Sequence, residues 1–137
     1  MEPGRRASVH PNEELVRAGY EAFVRGDIET VAGLIDPDVI WHVGGSSSLA
    51  GLYKGHGELF ALLARLGEMT QGSISISARD ILNSEDHVIV LTTMRAQRGD
   101  RVLDDDGVAV FKIVDGKATE VWVFAENQGA MDEFFGG

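Results

Sequence analysis

The sequence predicts an α+β domain, with helices packed on an antiparallel sheet, and three observations predict it. Apolar residues recur at spacings of three and four over residues 15–35 and again over residues 59–66, which marks helices with one buried stripe. From Ser73 onward the apolar period falls to two, in four successive runs, which marks strands. The separators of those runs are short polar or glycine-containing turns, so consecutive strands form antiparallel hairpins.

Taken in order, Asn12 is expected to cap a helix running to about Arg25, because its side-chain oxygen accepts from the free amides of the first turn. Leu15, Val16, Gly19, Phe23 and Val24 share its buried stripe, and Gly26 ends it. Asp27 caps a short second helix with Val31, Leu34 and Ile35 facing inward. Asp36-Pro37-Asp38 is expected to turn the chain there, since proline disfavours helix in the residue before it. Val39 to Val43 is a short strand. Residues 44–57, rich in glycine and holding three consecutive serines, read as a loop with an edge strand near Leu49 to Tyr53. Leu59, Phe60, Leu62, Leu63 and Leu66 give a third helix its apolar face, and Gly67 is the expected left-handed cap. The four strands fall over residues 73–82, 87–98, 101–114 and 117–126. Asp115-Gly116 between the last two favours the type I′ turn that matches strand twist. Asn127 is expected to cap a short C-terminal helix.

The chain's 137 residues suit one compact domain over residues 12–137, preceded by a tail over residues 1–11 that carries no periodic apolar face. With no cysteine, it offers no disulfide, redox thiol or cysteine-held zinc. A formal net charge of −10 disfavours nucleic acid as a partner, because phosphate binding depends on clustered Lys and Arg. No apolar stretch reaches the roughly 20 residues of a membrane span, and the first residues lack the apolar core of a signal peptide, so a cytoplasmic protein is expected. In Val121-Trp122-Val123-Phe124-Ala125 no alternate residue is polar, and Val108 to Phe111 is similar. Such strands have both faces covered. Helices cover one, and a second copy of the chain is the expected cover of the other, giving a homodimer through the outer face of the sheet.

Several runs, in this order, resemble the SnoaL-like branch of the nuclear-transport-factor-2-like superfamily. They are Arg25-Gly26-Asp27, Ile40-Trp41 followed by Gly44-Gly45, Ala50 to Gly55, and Glu120 to Phe124 leading into Ala130 to Phe135. The resemblance implies a cone-shaped, curved antiparallel sheet with three helices and a short C-terminal helix closing over an apolar pocket, usually in a dimer. It also implies kinship with ketosteroid isomerase, limonene-epoxide hydrolase and polyketide cyclases, though fold alone does not assign a reaction. By motif register, the isomerase's Asp base falls on Val43, its oxyanion Tyr on Gly19 and its oxyanion Asp on Ala109, so that chemistry lacks its groups. The epoxide hydrolase relay and its helpers fall on Val90, Thr92, Phe124, Trp41 and Val43, and that set is absent too.

What remains is an expected wall for an apolar small organic ligand: Trp41, Val43, Val90, Met94, Ala109, Phe111, Trp122 and Phe124 from strands, with Phe23, Phe60 and Leu63 from helices. Tyr20 and Tyr53 are expected to orient its polar group. Glu126, sharing a strand face with Trp122 and Phe124, is the expected acid or base. Asp105 is expected near the mouth, while the Asp104-Asp105-Asp106 run lacks the alternating ligands of a calcium loop. His10, His42, His56 and His87 show no pair at metal-ligand spacing, and His42 is expected to face away from Trp41's side. Neither metal nor cofactor is expected. A cofactor-free cyclase, isomerase or hydrolase is the leading reading, and a non-catalytic binder of an apolar molecule the alternative.

Overall fold

The computed structural model describes residues 10–136, so most of the expected tail, residues 1–9, lies outside the described residues. Its last two residues instead open the first helix, α1 (Pro11–Arg25). His10 is the cap, its Nδ1 accepting from the Asn12 amide at 3.1 Å, and Pro11 follows where a missing N–H costs nothing. Asn12 is therefore inside the helix rather than at its cap. Gly26 ends α1 at φ 75°, and Asp27 caps α2 (Ile28–Leu34) by accepting from the Thr30 amide at 3.2 Å.

The strand β1 (Ile35–Val43) starts directly after α2. Asp36-Pro37-Asp38 thus belongs to an irregular strand start, not to a separate turn, and pairing with the last strand slips between Ile35 and Ile40. Proline has no amide to give a ladder, which is why the irregularity falls there. An edge strand, β2 (Gly51–Lys54), precedes α3 (Gly55–Thr70). This helix runs past Gly67 to a left-handed Gln71, φ 53°, because Thr70 is buried and its hydroxyl returns to the Leu66 carbonyl at 2.7 Å.

The four long strands are β3 (Ser75–Asn83), β4 (His87–Arg98), β5 (Arg101–Val114) and β6 (Lys117–Ala125), followed by α4 (Gln128–Phe135). Asp115 and Gly116 both have positive φ, 51° and 78°, as a type I′ turn requires. The six strands form one curved, open sheet in the order β2-β1-β6-β5-β4-β3, antiparallel throughout except where β1 lies parallel to β6.

Helices cover the inner face in two apolar groups. One gathers Val16, Val31, Leu59, Val90 and Val121; the other gathers Leu49, Leu62, Ala96, Phe134 and Phe135. Trp41 packs against both, at their junction. The register of β6 is offset by one from the sequence-based expectation. Val121 is fully buried and Val123 packs against the core, whereas Trp122 stacks flat on His42, ring centroids 5.3 Å apart, on the outer face. An all-apolar run carries no alternation to choose between its two faces, and a one-residue offset exchanges them.

Candidate functional site

Between the helices and the inner face lies a cavity of about 210 Å³. Three aromatic rings shape one side: Tyr20 of α1 and Trp41 of β1 each meet Phe111 of β5 edge-on, at centroid distances of 6.0 and 6.1 Å. The space itself comes from what β5 lacks. Its inward positions run Leu103, Asp105, Gly107, Ala109 and Phe111, and the small residues at 107 and 109 leave room that larger side chains would fill. Gly107 is also required by close strand approach, since a Cβ there would lie 2.5 Å from the Phe124 carbonyl oxygen.

Of the residues expected at the wall, Tyr20, Phe23, Trp41, Val43, Leu63, Met94, Ala109 and Phe111 line the cavity. Phe124 touches its rim, but the residue is 51% exposed and shares the outer face with Trp122. Four others stand elsewhere. Val90 is fully buried core, and Phe60 packs on that core beside His56. Trp122 is on the opposite face of the sheet, and the Tyr53 hydroxyl is used locally, donating to the Leu49 carbonyl at 2.6 Å. His56 likewise serves structure, its Nε2 donating to the Ile35 carbonyl at 2.8 Å. His42 faces outward as expected, 2.7 Å from a Glu120 oxygen.

Glu126 is exposed and outside the lining; its amide donates to the Asp106 carbonyl at 2.8 Å, beyond the end of β6. The carboxylate that does line the cavity is Asp105, only 8% exposed. Its Oδ2 accepts from the Asn127 amide at 3.3 Å, and among the described residues this is its one hydrogen bond, with no ion pair. Its neighbours point away: Asp104 lies 3.4 Å from Arg95, and Asp106 accepts from the Thr93 hydroxyl at 2.9 Å. The signal for Asp105 was present, because counting back by twos from Ala109 along one strand face reaches it. Tyr20 is the second polar group, and among the described residues its hydroxyl has no hydrogen-bond partner. Burial pushes the Tyr20 pKa well above the usual phenol value.

The far wall is a latch between α4 and the loop after β1. Gly44, Ser47, Gln128 and Met131 line the cavity there, and Asp132 ties the two segments together. Its carboxylate accepts from the amides of Ser46 and Ser47 at 3.0 and 3.1 Å and from the Ser46 hydroxyl at 2.9 Å. Partial desolvation raises the Asp132 pKa, but hydrogen bonds from Gln128, Ser46 and Ser47 outweigh it and hold the carboxyl below its ordinary value. Among the described residues no group of three His, Asp or Glu side chains is placed to hold a metal ion, and no helix is long and apolar enough to cross a membrane.

Comparison with known proteins places this geometry among relatives. The family model for the SnoaL-like domain matches residues 16–121. An uncharacterized protein of Mycobacterium tuberculosis is 29% identical over 123 residues, 89% of this chain and 94% of that protein. Among solved structures, Bal32a, from a soil-derived mobile gene cassette, superposes with a TM-score of 0.89 at 35% identity, covering 92% of this chain and 97% of that one. TerC, co-crystallised with polyporic acid, superposes with a TM-score of 0.81 at 26% identity, covering 92% and 98%.

Proposed function

The chain belongs to the SnoaL-like domain family, and from that premise we propose that it takes up a mostly apolar cyclic organic molecule and acts on it without a cofactor, as a cyclase, isomerase or hydrolase does. The observation that carries this reading is the cavity. At about 210 Å³ it exceeds the roughly 150 Å³ that encloses benzene and approaches the ~300 Å³ of the smaller ligand sites, which suits one or two rings. Its wall is aliphatic and aromatic with few polar groups, the composition of a site that binds by burial and orients by one or two hydrogen bonds. The co-crystal of TerC with polyporic acid supports a cyclic organic ligand. Tyr20, whose hydroxyl stays protonated across neutral pH, is the donor in this reading.

A second reading, binding without turnover, draws support from one observation. Gly19, Val43 and Ala109 all line the cavity, and none carries a group able to move a proton. 2-Naphthol, a bicyclic ketone and a cyclic epoxide, each incubated with the protein, separate the two. Saturable binding with a new product supports the enzyme, and saturable binding alone supports the binder. Absence of binding by all three would overturn both. Glu126→Gln is expected to leave binding and any turnover unchanged, because the residue lies outside the lining. We also propose that the protein works in the cytoplasm as a homodimer joined through the outer sheet face, where Trp122 and the half-exposed Phe124 lie.

A further inference from the structure

We infer that Asp105 is the ligand's polar anchor: it accepts a hydrogen bond from a hydroxyl or N–H group on the bound ring, so the cavity selects neutral donors such as phenols and enols. This rests on the pocket reading above and adds the chemistry that the pocket selects.

The argument begins with cost. A carboxyl group buried among apolar side chains destabilises a fold unless it is paired or fully hydrogen-bonded. Asp105 is 8% exposed, and among the described residues its carboxylate has one hydrogen bond, a long one of 3.3 Å from the Asn127 amide to Oδ2. Among the described residues Oδ1 has none, although Asp104 and Asp106 on either side reach Arg95 and Thr93. Asp105 also stands opposite Met94, with Gly107 and Ala109 next on its face, so the ground before it is open and apolar. A buried carboxylate with one long hydrogen bond on a cavity wall is explained by what the cavity receives, since sites trade stability for function.

The donor requirement follows from charge. The Asp105 carboxylate borders the cavity, and the chain's formal net charge is −10, so an anionic ligand group at this end meets repulsion. A neutral O–H or N–H meets an acceptor. The Tyr20 hydroxyl, on the side of the cavity that Phe111 shapes, adds a donor, so the lining offers one acceptor and one donor.

The test uses 2-naphthol, 2-methoxynaphthalene and 2-naphthoate, titrated calorimetrically into the wild-type protein, Asp105→Asn and Asp105→Leu, with the melting temperature of each. The wild type is expected to bind 2-naphthol about tenfold more tightly than the methoxy compound, and 2-naphthoate more weakly than either, because the methyl ether loses the one hydrogen bond to Asp105, worth about 1.4 kcal/mol, a tenfold change. In Asp105→Leu the naphthol preference is expected to vanish and in Asp105→Asn to shrink, with melting temperatures equal to or above wild type. Equal binding of naphthol and its methyl ether by the wild type would overturn the anchor while leaving the pocket standing. So would a preference that survives in Asp105→Leu, or failure of both variants to fold, which would mark the carboxylate as structural. If no naphthalene probe binds any form, the pocket reading falls and the anchor with it.

Discussion

At the scale of single residues, Tyr20 carries two expectations that are separable by pH. The residue is partly buried, and among the described residues its hydroxyl has no hydrogen-bond partner, a state that costs about 1–3 kcal/mol when burial is complete. Tyr20→Phe is therefore expected to keep or raise folding stability at pH 7, by about 1 kcal/mol at most, while weakening the binding of ligands that carry a carbonyl. The raised pKa adds a sign. The folded state holds the phenol proton to higher pH than the unfolded chain does, so this contribution is intact below about pH 10 and is lost as pH rises above it. Melting curves from pH 9 upward are expected to fall more steeply for wild type than for Tyr20→Phe; parallel curves would refute the assignment. Tyr20 was legible in the sequence only as a hydroxyl able to orient a ligand, and its place beside Phe111 comes from the fold. Asp105 was half legible, since the strand period puts it on the face of Ala109. Glu126 was misplaced because its face was inferred from Trp122 and Phe124, and nothing in a run of apolar residues says which of the two sets meets the helices.

At the scale of elements, two glycines that line the same cavity are expected to respond oppositely to one methyl group. Gly19 lies within α1, and a Cβ there meets only Leu34 Cδ1, at an ordinary 3.8 Å. Gly19→Ala removes backbone freedom from the unfolded chain and is expected to stabilise by about 0.5–1 kcal/mol. In Gly107→Ala the new carbon would sit 2.5 Å from the Phe124 carbonyl oxygen, a backbone atom held in the β5–β6 ladder, so a strand must shift. That variant is expected to lose about 1–3 kcal/mol or to misfold, read from urea unfolding of both proteins together. The latch follows an acid logic. The Asp132 carboxyl is held below its ordinary pKa, so its contribution is complete above the unfolded value near 3.8 and disappears as pH falls through the folded one. Asp132→Asn is expected to melt below wild type at pH 7, with the gap closing in acid. None of this pairing was visible beforehand, because Ser46 and Asp132 are 86 residues apart and only the closed fold brings them together. Local signals fared better: the hairpin at Asp115-Gly116, the Asp27 cap and the Gly26 stop are each set by residues within one turn.

At the scale of the whole molecule, among the described residues the sheet has one face under helices and one without them. On the latter, Trp122 is opposite Val110 and Phe124 opposite Val108, with Leu52 of β2 nearly half exposed nearby. Water gains nothing by contact with such a strip, and contiguous exposed apolar surface is the usual mark of an interface. The strands that made the sequence look covered on both sides owe their outer half to these residues. A closed pair of identical chains would set the same strip against itself about a two-fold axis, so each substitution acts twice. Phe124→Lys places two ammonium groups in that contact and is expected to shift dissociation upward by at least about a hundredfold, two buried losses of roughly 1.4 kcal/mol each. Sedimentation equilibrium is the measurement. Wild-type chains of 14.8 kDa are expected to sediment at twice that mass at micromolar concentration, and Phe124→Lys at the single mass. A wild type that remains monomeric at 100 times that concentration would leave the outer face without a second copy of the chain and end the dimer reading. If the dimer is found, its melting temperature is expected to rise with protein concentration, and Phe124→Lys to melt independently of it, because only association links folding to mass action.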